Sequence, residues 1–302
     1  MEMSLGEEIA LWKEKREAVI LAHYYCPAET QALADFVGDS FYLAKVAKKT
    51  DAKVIVFCGV GFMGESAKIL NPEKTVVMPD RGADCAMAHM VKEGEIARMR
   101  EKYPDLAVVC YINSTARLKA QSDVCVTSSN ALRIVKALPT KNIFFIPDKN
   151  LGRFVAAKIP EKNVILNDGF CPIHAEIRAE EVARLKAAHP NAFVLTHPEC
   201  EESVTALSDY LGSTQEIIAY AKESEAEEFI ICTEDGVEFA LDGIGGKRFY
   251  FPEPRPRCMD MKLSTPEGVL RALKTLEDPI TVTEEERLSA LRPLEKMLEM
   301  CQ

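Results

Sequence analysis

Three stretches of this 302-residue chain are variants of one pattern, and no other feature limits the possible folds as much. EEIALWKEKRE from Glu7, GEIARMREKYP from Gly94 and EEVARLKAAHP from Glu180 all read as amphipathic helices. Each leads into a short apolar run with a polar tip: VILAHYY (19–25), VVCYINS (108–114) and FVLTHPE (193–199). A second set of apolar runs follows at 53–60, 123–130 and 228–235, and a third, closing on proline beside an acid, at 75–80, 142–148 and 248–254. Ile9, Ile96 and Val182 lie 87 and 86 residues apart, and Cys85, Cys171 and Cys258 lie 86 and 87 apart. The chain is thus read as three copies of a helix–strand–helix–strand–helix–strand unit of about 86 residues, over 1–90, 91–176 and 177–302.

Short, continuous Val/Ile/Phe-rich strands alternating with helices are the pattern of parallel sheets covered on both faces. The predicted fold class is α/β: three homologous α/β/α sandwiches in a pseudo-threefold arrangement. Open parallel sheets bind ligands beyond the carboxyl ends of their strands, so three such ends would meet around one central site. The polar tips there are His23, Tyr24 and Tyr25, then Tyr111, Asn113 and Ser114, then His197 and Glu199. The last 40 residues carry two amphipathic patterns, TPEGVLRALKTL and EEERLSALRPLEKML, expected to pack on the third domain or to cover a sheet edge.

A formal charge of −10 and dispersed basic residues argue against nucleic-acid binding. The charged start of the sequence does not read as a signal peptide, and no apolar run reaches the roughly 18 residues of a membrane span. A cytoplasmic location is expected. Ten cysteines are then unlikely to form a disulfide framework.

Gly59-Val60-Gly61-Phe62-Met63-Gly64 spells G-x-G-x-x-G between a strand and a helix, with Asp80 21 residues beyond Gly59. The equivalent turns, taken at 126–130 and 232–236, lack the G-x-G-x-x-G spacing, and the intervening helix is short for a dinucleotide unit. The segment therefore reads as a strand-to-helix turn facing the central site, with backbone N–H groups able to approach an anion.

No C-x-x-C pair occurs in the chain. Cys58, Cys110, Cys125 and Cys232 fall inside apolar strands and read as core; Cys26 and Cys200 lie beside strand tips. Cys85, Cys171 and Cys258 lie outside the strands, once per repeat, and a threefold arrangement would bring them together. Two metal readings follow: zinc, with His174 as a fourth ligand, or an iron–sulfur cluster on three cysteines with one iron open to substrate.

Taken in order, AHYY, GDS, FCGVGFMGES, ADCAMA, CYINS, VTSSNA, DGFCPIH, THPEC and GST resemble the quinolinate synthase family, over nearly the whole chain. The resemblance implies a [4Fe-4S] cluster held by Cys85, Cys171 and Cys258. The implied reaction condenses iminoaspartate with dihydroxyacetone phosphate to quinolinate, losing phosphate and two waters. Carried over residue by residue, it implies Glu199, Tyr25, Tyr111 and His174 as catalytic residues. His23, Asp39, Ser40, Asn113, Ser128, His197, Ser213 and Thr214 would bind substrate. An aspartate oxidase or dehydrogenase would supply the iminoaspartate. The chain departs from the family in carrying Gly61 and Gly64 where bulkier residues are usual, and in having no further C-x-x-C stretch after Cys258.

Overall fold

The computed structural model describes residues 3–301. Its strands form three four-stranded sheets in which every pairing is parallel. The first contains β1 (Ala18–His23), β2 (Phe36–Gly38), β3 (Val54–Cys58) and β4 (Thr75–Val77), in the order β2-β1-β3-β4. The second contains β5 (Ala107–Tyr111), β6 (Val124–Val126), β7 (Asn142–Ile146) and β8 (Asn163–Leu166), ordered β6-β5-β7-β8. The third contains β9 (Phe193–Thr196), β10 (Tyr210–Leu211), β11 (Glu228–Cys232) and β12 (Arg248–Tyr250), ordered β10-β9-β11-β12. One strand order used three times is the fold the repeat predicted.

The central strands are apolar along their length because helices cover both faces; β3 and β5 are buried at every residue, and so is the edge strand β6. Ile9, Ile96 and Val182, the markers of the repeat, are all buried on the leading helices. Burying each such side chain contributes about 1.5–3 kcal/mol.

The structure corrects the internal alignment of the repeat. Each copy has four strands, not three: β2, β8 and β10 were not foreseen. β2 has three residues and β10 two, too short for a periodic signal, and no residue of the edge strand β8 is fully buried. Strand order makes β6 the counterpart of β2, and makes β3, β7 and β11 equivalent. The runs at 53–60 and 123–130 therefore do not correspond, and neither do the proline–acid endings at 75–80 and 142–148.

Of the two expectations for the tail, packing on the third repeat and covering a sheet edge, the second holds. Helix Pro266–Thr275 lies against the first-repeat helix Leu5–Lys15, where Arg16 Nε donates to the Leu273 carbonyl at 2.9 Å. Ile280 N–H donates to Val76 O at 2.8 Å, so the tail does cover an edge, that of β4. Helix Glu284–Glu299 packs on helix Ala116–Ala120 and β6, and its Ala290, Leu294 and Met297 complete a core shared by the first two sheets.

Helix Gly61–Leu70 carries the glycine motif and is buried at Phe62, Met63, Gly64, Ser66, Ala67 and Ile69. A side chain on Gly64 would stand 2.9 Å from Met78 Sδ and 3.1 Å from Ile280, so this glycine serves close packing. Gly59 N–H is spent on Ser264 Oγ at 3.0 Å and Gly61 N–H on Ala83 O at 2.9 Å. Those two N–H groups are therefore not free to meet an anion, while Val60, Phe62 and Met63 of the same segment face the cavity where the three sheets meet.

Candidate active site

The carboxyl ends of the three sheets meet at a cavity of about 290 Å³. Three equivalent positions per sheet contribute to its wall. At the ends of β1, β5 and β9 stand His23, Tyr111 and His197, and two residues on stand Tyr25, Asn113 and Glu199. The strand beside each of these runs on into residues that also face the cavity: Ser40 and Thr214 in the first turn of a helix, and Ser128 in the turn that precedes one.

Asp39 lines the cavity but spends one oxygen as helix cap, accepting Tyr42 N–H at 2.8 Å. Ser213 does not reach the cavity wall; it is fully buried, and its hydroxyl accepts Glu216 N–H in a capping box. Val60, Phe62 and Met63 give the cavity one apolar side. Cys85, Cys171 and Cys258 line the same cavity and are partly exposed. Cys26, Cys58, Cys110, Cys125, Cys200 and Cys232 are buried and take no part in its lining. His89 is exposed and pairs with Asp84 at 2.8 Å, and His189 stacks on Tyr250 away from the site.

Glu199, Tyr25 and His174 are joined by one buried network. Glu199 Oε2 lies 2.8 Å from His174 Nδ1, which also stands 3.2 Å from Cys171 Sγ. His174 Nε2 is 2.9 Å from Thr233 Oγ1, which is 2.7 Å from the Tyr25 hydroxyl; that hydroxyl reaches Thr214 Oγ1 at 2.6 Å. The Tyr111 hydroxyl donates to Glu199. Burial alone would raise the Glu199 carboxyl. His174, His197 and the Tyr111 hydroxyl outweigh it and hold the group below the ordinary carboxylate range, so it is ionised at neutral pH. Burial and the Glu199 charge push both Tyr25 and Tyr111 well up, keeping the two phenols protonated.

His23 and His197 behave alike. His23 Nδ1 accepts Tyr25 N–H at 3.1 Å and His197 Nδ1 accepts Glu199 N–H at 3.3 Å. These bonds assign the tautomer with the proton on Nε2, leaving one donor per ring for a ligand. Burial, against the pull of Glu199, brings both imidazoles down to about 3, so each is neutral at pH 7. Asn113 Oδ1 is buried without a hydrogen-bond partner, a polar atom on the cavity wall that a bound donor would satisfy.

Thr233, Asp148 and Glu234 were not singled out in the sequence. Thr233 and Glu234 follow β11 as Pro147 and Asp148 follow β7 and as Gly59 and Val60 follow β3. The signal for them is this equivalence, which pairing 123–130 with 228–235 concealed.

The chain matches the quinolinate synthetase A protein family over residues 7–299. It is 50% identical over 297 residues to the quinolinate synthase of Caldicellulosiruptor bescii, covering 98% of both chains. It is 48% identical over 298 residues to that of Clostridioides difficile, again covering 98% of both. With that of Fusobacterium nucleatum the identity is 49% over 297 residues, covering 98% of this chain and 99% of the relative. Near-complete coverage at about half identity, on a chain whose three sheets converge on one polar cavity, means that the chain belongs to the quinolinate synthetase A family of enzymes.

Proposed function

We propose that this enzyme is a quinolinate synthase that condenses iminoaspartate with dihydroxyacetone phosphate, releasing phosphate and two waters. The observation that carries the reading is the wall of the cavity: one cysteine from each repeat beside a buried Glu199–His174 pair. We further propose that Cys85, Cys171 and Cys258 hold a [4Fe-4S] cluster. Three thiols and no fourth cysteine line the cavity, a donor set that fits a cluster with one iron open. Burial pushes the Cys85 thiol up to about 12 and Cys258 up to about 11, and raises Cys171 as well, so a metal centre is what would draw their protons off. When bound, the cluster supplies a Lewis acid at that open iron.

The chain's own residues do the remainder. Both substrates are anionic, and the hydroxyls of Ser40 and Thr214, at the starts of two helices, and of Ser128, in a turn, offer donors for carboxylate and phosphate oxygens. The Nε2–H groups of His23 and His197 add two neutral donors that do not compete as bases. A carboxylate held as low as Glu199 is a weak proton acceptor on its own; its task is to orient His174 and to stabilise the imidazolium when that ring takes a proton. Thr233 links Nε2 on the other side of the ring to the Tyr25 hydroxyl, so a proton given up by Tyr25 can reach His174 through the Thr233 hydroxyl, which takes one proton as it passes one on. Val60, Phe62 and Met63 keep water from one face of the reacting carbons.

The enzyme is read as cytoplasmic, drawing iminoaspartate from an aspartate oxidase or dehydrogenase; among the described residues no helix is long and apolar enough to cross a membrane. A second reading has one specific observation behind it. The ligand atoms of Cys171, His174 and Glu199 all lie within 4.8 Å of one another, a set able to hold a single zinc ion. Iron and acid-labile sulfide analysis on anaerobically purified protein separates the two. About four of each per chain, lost in Cys171→Ala, together with quinolinate formation, supports the cluster enzyme. Zinc at unit stoichiometry without sulfide overturns it.

A further inference from the structure

Each cavity-lining cysteine gives its backbone N–H to a carboxylate. In the second repeat Asp148 Oδ2 accepts Cys171 N–H at 3.2 Å, across 23 residues. In the third, Glu234 Oε1 accepts Cys258 N–H at 2.9 Å, across 24 residues. Asp148 and Glu234 occupy the same place in the fold, two residues beyond the ends of β7 and β11, and both are fully buried. In the first repeat that place is taken by Val60, and the adjacent Asp84 does the work instead, its Oδ1 accepting Cys85 N–H at 2.7 Å.

Helix capping does not account for the pattern. Asp148 Oδ1 alone caps helix Lys149–Lys158, accepting Leu151 N–H at 2.6 Å, and Glu234 Oε2 alone accepts Gly236 N–H at 2.7 Å. The second oxygen of each reaches across to a cysteine that capping does not need. Lys262, four residues after Cys258, returns to Glu234 Oε1 at 2.8 Å and to Tyr25 O at 2.8 Å, tying the cysteine's own turn to the same carboxylate.

We propose that Asp148 and Glu234 are positioning residues for the cluster cysteines, equivalent carboxylates that fix the backbone of Cys171 and Cys258 from behind. The proposal rests on the cluster reading above. A carboxylate has acceptors enough for two N–H groups on two oxygens. A side-chain amide has one oxygen and turns an NH₂ toward the other N–H. Asp148→Asn and Glu234→Gln therefore keep volume while breaking the clamp.

The experiment loads wild type, D148N, E234Q and Cys171→Ala anaerobically with iron and sulfide and follows iron release to a chelator. The cluster's midpoint potential is measured alongside, and the melting of each apoprotein by circular dichroism. D148N and E234Q are expected to release iron about 10-fold faster than wild type, the cost typical of groups that orient metal ligands. In E234Q, removing a negative charge behind Cys258 moves the midpoint potential to more positive values, a change that general loosening of the fold does not produce. An apoprotein melting temperature close to wild type assigns the effect to the cluster. If both variants, loaded to the wild-type level, hold iron as long as wild type and E234Q keeps its potential, the proposal is overturned. Failure of the cluster reading itself looks different: wild type then binds no iron and sulfide, or Cys171→Ala binds as much.

Discussion

His174 Nδ1 stands 2.8 Å from the Glu199 carboxylate and 3.2 Å from Cys171 Sγ, so one ring nitrogen joins the acid of the third repeat to a cysteine of the second. Both side chains are almost wholly shielded from solvent, and the ring's other nitrogen is already engaged by Thr233. The pair is a single unit, and a change at Glu199 acts through His174. Glu199→Gln keeps the shape and removes the charge. Quinolinate formation should fall by about 10²-fold or more, the usual worth of a positioned acid–base group. Iron and sulfide content should stay at the wild-type level. Loss of iron in step with activity would show instead that the carboxylate is needed to assemble the metal site.

Thr233 makes a sharper case because it touches no substrate-facing surface and joins two groups that do. Its hydroxyl links Tyr25 and His174, at 2.7 and 2.9 Å. Thr233→Val retains the β-branched shape and removes the link; Thr233→Ser retains the link. The valine variant should lose about 10-fold in kcat, with a destabilisation of about 1–2 kcal/mol from unpaired polar groups, and the serine variant should recover most of both. Equal kcat in the two variants would remove Thr233 from the proton path.

Much of this site was legible because the repeat marks it three times. The 86-residue period identified Cys85, Cys171 and Cys258, and the strand tips identified His23, Tyr111 and His197 before any coordinate was known. All six stand on one cavity. What escaped reading has a physical reason. β2 and β10 hold only three and two residues, held in place by their neighbours rather than by any pattern of their own. Without them the second-repeat runs at 123–130 and 142–148 were aligned one step out, and Asp148 fell out of register with Thr233 and Glu234. The glycine segment is the strand-to-helix turn facing the cavity that was expected, but its Gly64 is small because Met78 and Ile280 press on it. The tail helices carry a strong amphipathic signal, but periodicity says which face is buried and not on which repeat.

The two neutral histidines make stability depend on pH in a defined window. His23 and His197 titrate near 3 in the folded protein, chiefly through burial, against about 6.5 in an unfolded chain. Their folded values are depressed, so the stability tied to neutrality is complete above pH 6.5 and is lost as pH falls toward 3. Glu199 has its folded value lowered from 4.5, so its contribution stays intact down to about that pH. Urea unfolding of the apoprotein should thus show stability falling between pH 6.5 and 5, at up to about 1.4 kcal/mol per pH unit for each histidine. His23→Gln should flatten that slope. An unchanged slope would mean that the ring is charged in the folded state.

Gly236 tests how the third repeat is seated on the first. A Cβ there would come within 2.7 Å of Tyr25 Cα and 2.8 Å of both Tyr24 O and Tyr25 C, all backbone atoms with no rotamer to yield. Gln31 locks the same contact from the other side, its Nε2 reaching Gly236 O at 3.0 Å and Tyr24 O at 2.8 Å. Gly236→Ala therefore has to push the 235–237 turn away from the strand tip that carries His23 and Tyr25. The expected cost is about 1–3 kcal/mol in thermal or urea unfolding, as for overpacked interiors, with a fall in kcat as Tyr25 is drawn from Thr233. Gly245 provides the comparison: nothing lies within 4 Å of its added Cβ, and Gly245→Ala should stay within about 0.5 kcal/mol of wild type. Equal melting of the two variants would mean that the turn relaxes freely, and that the close approach at Tyr25 does not set the position of the site.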